Sequence, residues 1–169
     1  GGVTWSAASE GLTESQIAQH AIDPVHPATL YAGTFAGLFK SVDGAATWKA
    51  VPAPFPSAGV LLLNPQTPRT LYVGAENTAG FFKSVDGGAT WPAPVPGPQC
   101  TSALALVVSA TGTVYLGGKP VDGCSPTEGS AGGVYTSTDG GATWKDLGDV
   151  LRRRVQSLAF DPAGLTLYA

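Results

Sequence analysis

Charge is scarce in this sequence, and what there is nearly cancels. Of 169 residues, 9 are basic and 12 acidic, a net charge of −3. That leaves no electrostatic footprint for nucleic acid or for an anionic membrane surface. No apolar run approaches the ~18–20 residues that a spanning helix requires. Helical periodicity is missing too: the one stretch that suggests it, Thr13 to Gln19, reads as loop entering a strand. Residues Gly1 to Trp5 lack the basic and apolar segments of a secretion signal, which says nothing about the parent protein if the chain starts inside a repeat. Histidine is limited to His20 and His26, and neither has a recognisable catalytic or metal-site partner. Cysteine is limited to Cys100 and Cys124. Two readings stand: a disulfide closing a loop of about 25 residues, stabilising by roughly 3 kcal/mol, or two buried thiols. No third and fourth ligand completes a zinc site, so neither metal nor cofactor is expected.

Glycine and proline are plentiful instead, and they punctuate short runs of Val, Leu, Phe, Tyr and Trp. This composition suits many short strands joined by tight turns. Three segments align at once: Gly37 to Trp48, Gly80 to Trp91 and Gly133 to Trp144. Trp5, Trp48 and Trp91 are spaced by 43 residues, and Trp144 follows Trp91 by 53. Ahead of each copy runs a second signature, with Tyr31, Tyr72 and Tyr115 at its centre, and Tyr168 marks a further copy. A third signature carries Asp23-Pro24, Asn64-Pro65 and Asp161-Pro162, and the third copy departs from it with Ser109 and no proline.

Each repeat therefore predicts four strands. Strand A falls over 17–22, 58–63, 102–108 and 155–160. Strand B falls over 29–33, 70–74, 113–117 and 166–169, and strand C over 37–41, 80–84 and 133–137. Strand D follows each Trp. Four short strands per ~43 residues is the blade unit of a propeller, and such units must stack to bury both faces. The expected fold is all-β: a propeller fragment with about three complete four-stranded antiparallel blades, approximately 16–53, 58–97 and 101–148. A strand D at 5–9 precedes them and an incomplete blade at 155–169 follows. The expected shape is an open arc whose exposed edge strands invite association.

The pattern Ser-x-Asp-x-Gly-x-Thr-Trp resembles the Asp-box, or BNR repeat, of sialidases, xyloglucan-cleaving propellers, sortilin-type receptors and photosystem II assembly factors. It is carried by Ser41, Asp43, Thr47 and Trp48; by Ser84, Asp86, Gly88, Thr90 and Trp91; and by Ser137, Asp139, Gly141, Thr143 and Trp144. The first copy has Ala45 where glycine is expected. These residue types suit a hairpin turn between strands C and D. The carboxylate accepts bonds from turn N–H groups, and the glycine supplies a positive φ. Ala45 is then strained by roughly 1 kcal/mol, or its turn differs. The Trp plugs between sheets. The aspartates read as scaffold, because an active site needs one constellation and not the same residue in every blade.

The resemblance places function on the opposite face, lined by B–C loops and D–A connections. The third B–C loop is the longest, and its insert carries Asp122, Cys124 and Glu128, with Cys100 in the D–A connection of the same blade. A disulfide there would pin the insert, a candidate binding loop. Glu76 lies in the neighbouring B–C loop, and Arg152, Arg153 and Arg154 in the next D–A connection. The arginines are a candidate site for a carboxylate or phosphate. Glu76, Asp122 and Glu128 lie in B–C loops of neighbouring blades, where the fold could bring together the two acids of a paired-carboxylate glycosidase. The sialidase Phe/Tyr-Arg-Ile-Pro motif is absent, and Arg69 falls in an A–B turn on the wrong side. The sequence thus reads as a non-catalytic binding or assembly scaffold in an extracytoplasmic or secreted protein, with carbohydrate or protein as partner. The alternative is part of a sialidase-like or xyloglucanase-like glycoside hydrolase whose catalytic residues lie largely elsewhere.

Overall fold

A computed structural model describes residues 4, 6–14, 16–75, 81–92, 94–124, 132–148 and 154–169. All regular structure among them is antiparallel β. The first sheet is a four-stranded meander of β1 (Ile17–Ile22), β2 (Leu30–Thr34), β3 (Gly37–Ser41) and β4 (Lys49–Ala50). The second holds β5 (Val60–Leu63), β6 (Leu71–Gly74) and β7 (Phe82–Ser84). The third is again four-stranded, from β8 (Thr101–Val108), β9 (Val114–Pro120), β10 (Gly133–Ser137) and β11 (Lys145–Asp146). A pair, β12 (Ala159–Phe160) and β13 (Leu167–Tyr168), follows.

The A–B hairpins form where a short polar side chain can close the turn on its own backbone. Asp23 Oδ1 accepts from the N–H groups of Val25 and His26 at 2.8 and 3.0 Å. Asn64 and Asp161 do the same for Gln66, and for Leu165 and Thr166. In the third repeat Ser109 Oγ takes over, accepting from Thr113 N–H at 3.1 Å, while Gly112 supplies the positive φ.

Two expected strands D are not formed among the described residues. After Trp91 the chain reads Pro92-Ala93-Pro94-Val95-Pro96, so alternate residues have no N–H to donate. Only Val95 reaches the sheet, in one reciprocal bridge to Phe81 (N–H to O 2.8 and 3.2 Å). The second sheet therefore has three strands where four were expected. Over 5–9, the described residues 6–9 form no strand. That segment instead lies along Trp48, whose indole Nε1 donates to Ala8 O at 2.9 Å.

Core residues sort by face. In β2, Tyr31 and, in β3, Leu38 join Phe55, Leu61, Leu63, Leu71 and Val73 between the first and second sheets. Tyr72, Phe81 and Val60 join Leu106, Val114, Leu116 and Tyr135 between the second and third. Val134 packs with Val155 and Leu158 beyond the third. The strands A thus contact in succession, β1 with β5 and β5 with β8. Each sheet contributes alternate residues to two interfaces. This is an arc of propeller blades.

Candidate functional site

The backbone sorts the connections onto two faces. On one, Gly44 and Gly87, in the C–D turns, donate to Ala28 O and Arg69 O of the A–B turns at 2.9 and 2.8 Å. On the other, Ala58 donates to Thr34 O and Val121 to Cys100 O, both at 2.8 Å, which joins D–A connections to B–C loops.

The three C–D turns share one geometry. Ser41 Oγ donates to Asp43 Oδ1 at 2.7 Å and accepts from Ala45 N–H at 3.0 Å. Asp43 then accepts from Thr47 N–H at 2.9 Å and from its hydroxyl at 2.6 Å. Ser84, Asp86, Gly88 and Thr90 repeat this, as do Ser137, Asp139, Gly141 and Thr143. Ala45 adopts φ +73°, matching Gly88 at +86° and Gly141 at +101°, so the first turn keeps the common shape with a strained residue. Bonds from the Thr hydroxyl, then the Thr N–H, then the Ser hydroxyl pull each carboxyl down: Asp43 to about 2, Asp86 and Asp139 well below the usual carboxylate range. A carboxylate held this way is ionised and fully engaged near neutral pH, and makes a poor general acid or base.

The three tryptophans pack backward, toward the preceding blade. Trp48 is buried with Ala32, Phe39 and Leu12. Trp91 meets Phe55 edge-on at 5.0 Å, and Trp144 meets Phe81 at 5.6 Å. Trp144 Nε1 donates to Pro96 O at 3.2 Å, whereas Trp91 Nε1 is buried without a partner among the described residues.

The turns are also gripped by residues that pattern reading missed. Tyr31 OH and Lys40 Nζ both donate to Gly87 O at 3.1 Å, one blade on, with the ammonium 5.2 Å from the Tyr31 ring centre. Lys83 Nζ repeats the grip on Gly140 O at 3.1 Å, lying 5.4 Å from the Tyr72 ring centre. Burial raises the Tyr72 phenol. The signal was present as a Lys before the first two Ser residues, but Thr136 holds that position in the third copy. Between the first two turns is a cavity of about 430 Å³, lined by Lys40, Asp43, Thr47, Lys49, Val51 and Asp86 among others. Its carboxylates are the engaged ones just described.

The opposite face holds two adjoining cavities. The larger, about 170 Å³, lies among Ala18, Phe35, Val60, Ser102, Lys119 and Arg154. The smaller, about 150 Å³, shares Ser102 and Lys119 and adds Pro120, Val121 and Asp122. Cys100 and Cys124 are bonded, with Cα atoms 5.4 Å apart, and fasten the start of the insert beside these cavities. Of the candidate binding residues, Asp122 and Arg154 are therefore brought to one region. Glu76, Glu128, Arg152 and Arg153 lie outside the described residues. His20 is exposed on β1, and His26 is exposed in a turn, 3.4 Å from Asp23. Ser102 and Lys119 were missed, because single residues within strands carry no sequence signature. Among the described residues no cluster of His, Cys, Asp and Glu could hold a metal ion, and no helix is long and apolar enough to cross a membrane.

No protein-family model matches the chain, and no curated protein does. Solved structures do. A GH74 enzyme from Niastella koreensis is similar over 75% of this chain, with 26% identity and a TM-score of 0.60. The extracellular domain of a putative one-component system from B. thetaiotaomicron is similar over 92%, with 14% identity and a TM-score of 0.67. YCF48 bound to D1 peptide is similar over 92%, with 16% identity and a TM-score of 0.61. Other GH74 enzymes, one a xyloglucanase, also match. The chain spans 20% of the first two structures and 48% of YCF48. The neighbours thus include both enzymes and a peptide-bound protein, and they share an all-β architecture with this chain, which is a β-propeller fragment.

Proposed function

We propose that this chain is part of an Asp-box propeller that acts as a binding or assembly scaffold in an extracytoplasmic protein, with its ligand face formed by B–C loops and D–A connections. One observation carries the reading. The recurring carboxylates are all engaged in turns, while among the described residues the cavities of the opposite face hold Lys119 and Arg154 but a single carboxylate, Asp122. Acid–base cleavage of a glycoside needs two facing acids. The disulfide supports an oxidising compartment, and a structural neighbour in complex with a peptide supports a protein partner. The test is turnover of sialoside and glucan substrates by the longest protein that contains this chain. The scaffold reading expects none, and cleavage of either substrate overturns it.

A second reading has its own support in the likeness to GH74 enzymes, of which this chain spans about a fifth to a quarter. On that reading the chain supplies blades to a glycoside hydrolase whose acids lie elsewhere or at Glu76 and Glu128. The same assay decides between the two.

A further inference from the structure

The two ends of the Cys100–Cys124 bond lie in different surroundings. Cys100 is 6% exposed. Cys124 is an exposed residue, at the end of a turn over 121–124 in which its N–H donates to Val121 O at 3.2 Å. A Cβ built at Gly123 would meet nothing within 4 Å among the described residues, so the space beside Cys124 is open. The buried end is also held against its backbone preference. Cys100 takes φ +54° at the third place of a turn over 98–101, which Thr101 N–H closes on Pro98 O at 3.2 Å. A positive φ at that place favours glycine, and among the described non-glycine residues only Ala45 shares one. The Cys100 carbonyl then accepts from Val121 N–H at 2.8 Å. The disulfide and this hydrogen bond together fix the turn over 121–124, which gives Val121 and Asp122 to the wall of the smaller cavity.

We infer that Cys124 Sγ is a site of thiol–disulfide exchange with a dithiol reductant, and that opening the bond frees the turn that walls the cavity. One thiolate of the reductant attacks Cys124 Sγ and forms a mixed disulfide, while Cys100 Sγ leaves as a thiolate and takes up a proton. The reductant's second thiolate attacks its own sulfur in that mixed disulfide, and Cys124 Sγ leaves and is protonated. The protein gains two electrons and two protons, and the dithiol is oxidised to its disulfide. Access sets the direction of attack. Leaving-group chemistry alone favours the reverse, because a thiolate on exposed Cys124 is better solvated than one on buried Cys100. A buried sulfur, however, gives the incoming thiolate no approach. Once the bond opens, Cys100 relaxes from its positive φ, and its carbonyl turns away from Val121 N–H. The blades stay stacked, since neither cysteine belongs to a core cluster between sheets. The consequence for a ligand rests on the scaffold reading above: the cavity wall is fixed when the bond is closed and loose when it is open.

Reduced glutathione, a monothiol that stops at the mixed disulfide, is the probe for the point of attack. After acid quenching and alkylation, peptide mass spectrometry should find glutathione on Cys124 and a free thiol at Cys100, in at least about tenfold excess over the reverse. The exchange rate should stay flat as urea rises below the unfolding transition, because the folded chain itself reacts. Glutathione mainly on Cys100, or a rate that climbs with urea as steeply as global unfolding does, would overturn the inference. Dithiothreitol then tests the release. After full reduction, amide shifts should move at Cys100, Thr101, Val121 and Asp122 while those of β2 and β6 stay in place. An unchanged Val121 amide would mean that the turn stays fixed, and loss of the β2 and β6 signals would make the bond a support of the whole fold; either result sinks the proposal. These failures would leave the scaffold reading standing, whereas turnover of a glycan would sink that reading without moving the exchange at Cys124.

Discussion

Ala45 occupies a conformation that the second and third turns reserve for glycine. Its φ of +73° brings Cβ toward the following carbonyl oxygen, at a cost of about 1–2 kcal/mol. Replacing it with glycine removes that strain but loosens the unfolded chain, which returns about 0.4–1 kcal/mol. Ala45→Gly should thus raise stability by about 0.5–1 kcal/mol in denaturant melts. The converse changes rank by the space around each glycine. A Cβ at Gly88 would sit 3.4 Å from Val51 and 3.7 Å from Trp91, so Gly88→Ala meets the backbone penalty alone. A Cβ at Gly141 would fall 2.3 Å from Phe81 Cζ, so Gly141→Ala should destabilise more than Gly88→Ala. Equal losses at the two positions would contradict this steric account. The carboxylates of the same turns set an acid limit. Each has a folded pKa below its unfolded value, so the unfolded chain takes up protons first as pH falls. Their contribution is complete above about pH 4 and declines as pH falls toward the folded values, about 2 for Asp43. Melts between pH 5 and 2 should show that decline. Thr47→Val removes the hydroxyl bond that is the largest cause of the Asp43 shift, so its carboxyl should titrate at higher pH by NMR.

At the scale of elements, repetition decided what could be read in advance. The strands A, B and C recur with Tyr, Gly and alternating apolar residues, and they form within one to three residues of where the pattern places them, except that the last A and B strands are shorter. Strand D follows the same Trp three times but forms a ladder only twice, because the prolines after Trp91 strip it of donors. That failure was written in the sequence, and the position of the repeat masked it. The grip of one blade on the next was less visible, since it joins Lys83 to Gly140 across 57 residues and only the fold brings them together. It should matter energetically: a partly buried ammonium on a carbonyl, beside an aromatic ring, is worth about 1–2 kcal/mol. Lys83→Met keeps the aliphatic stem and should cost about that much in a urea melt. Thr136 occupies the corresponding position in the third sheet, and Tyr115 there meets Phe160 edge-on at 5.5 Å instead of gripping a turn. Thr136→Met should therefore cost distinctly less, and equal losses would show that the ammonium contributes nothing.

Across the whole molecule, blade stacking and the disulfide stabilise different things. Stacking buries Tyr31, Tyr72, Leu71 and Leu116 between sheets and depends on no single cross-link. The disulfide instead ties a D–A connection to a B–C insert across 24 residues, next to the cavities of the face opposite the C–D turns. The cysteine spacing could not distinguish a bond from two thiols; the sheet does, because Thr101 pairs with Pro120 and sets the two segments side by side. Closing a loop of that length restricts the unfolded chain by about 3 kcal/mol. The double change Cys100→Ser and Cys124→Ser should lose stability of that order, with reductant producing a similar loss in the parent chain. The damage should also be local. Cys100 holds φ +54°, outside the range that most residues favour, and its carbonyl accepts from Val121 N–H at 2.8 Å. Released from the bond, Cys100 has reason to leave that conformation, and the contact to Val121 goes with it. Hydrogen exchange should then quicken at Val121 and Cys124 while the amides of β2 and β6 stay protected. Uniform quickening across all the sheets would instead mean that the cross-link supports the stack as a whole.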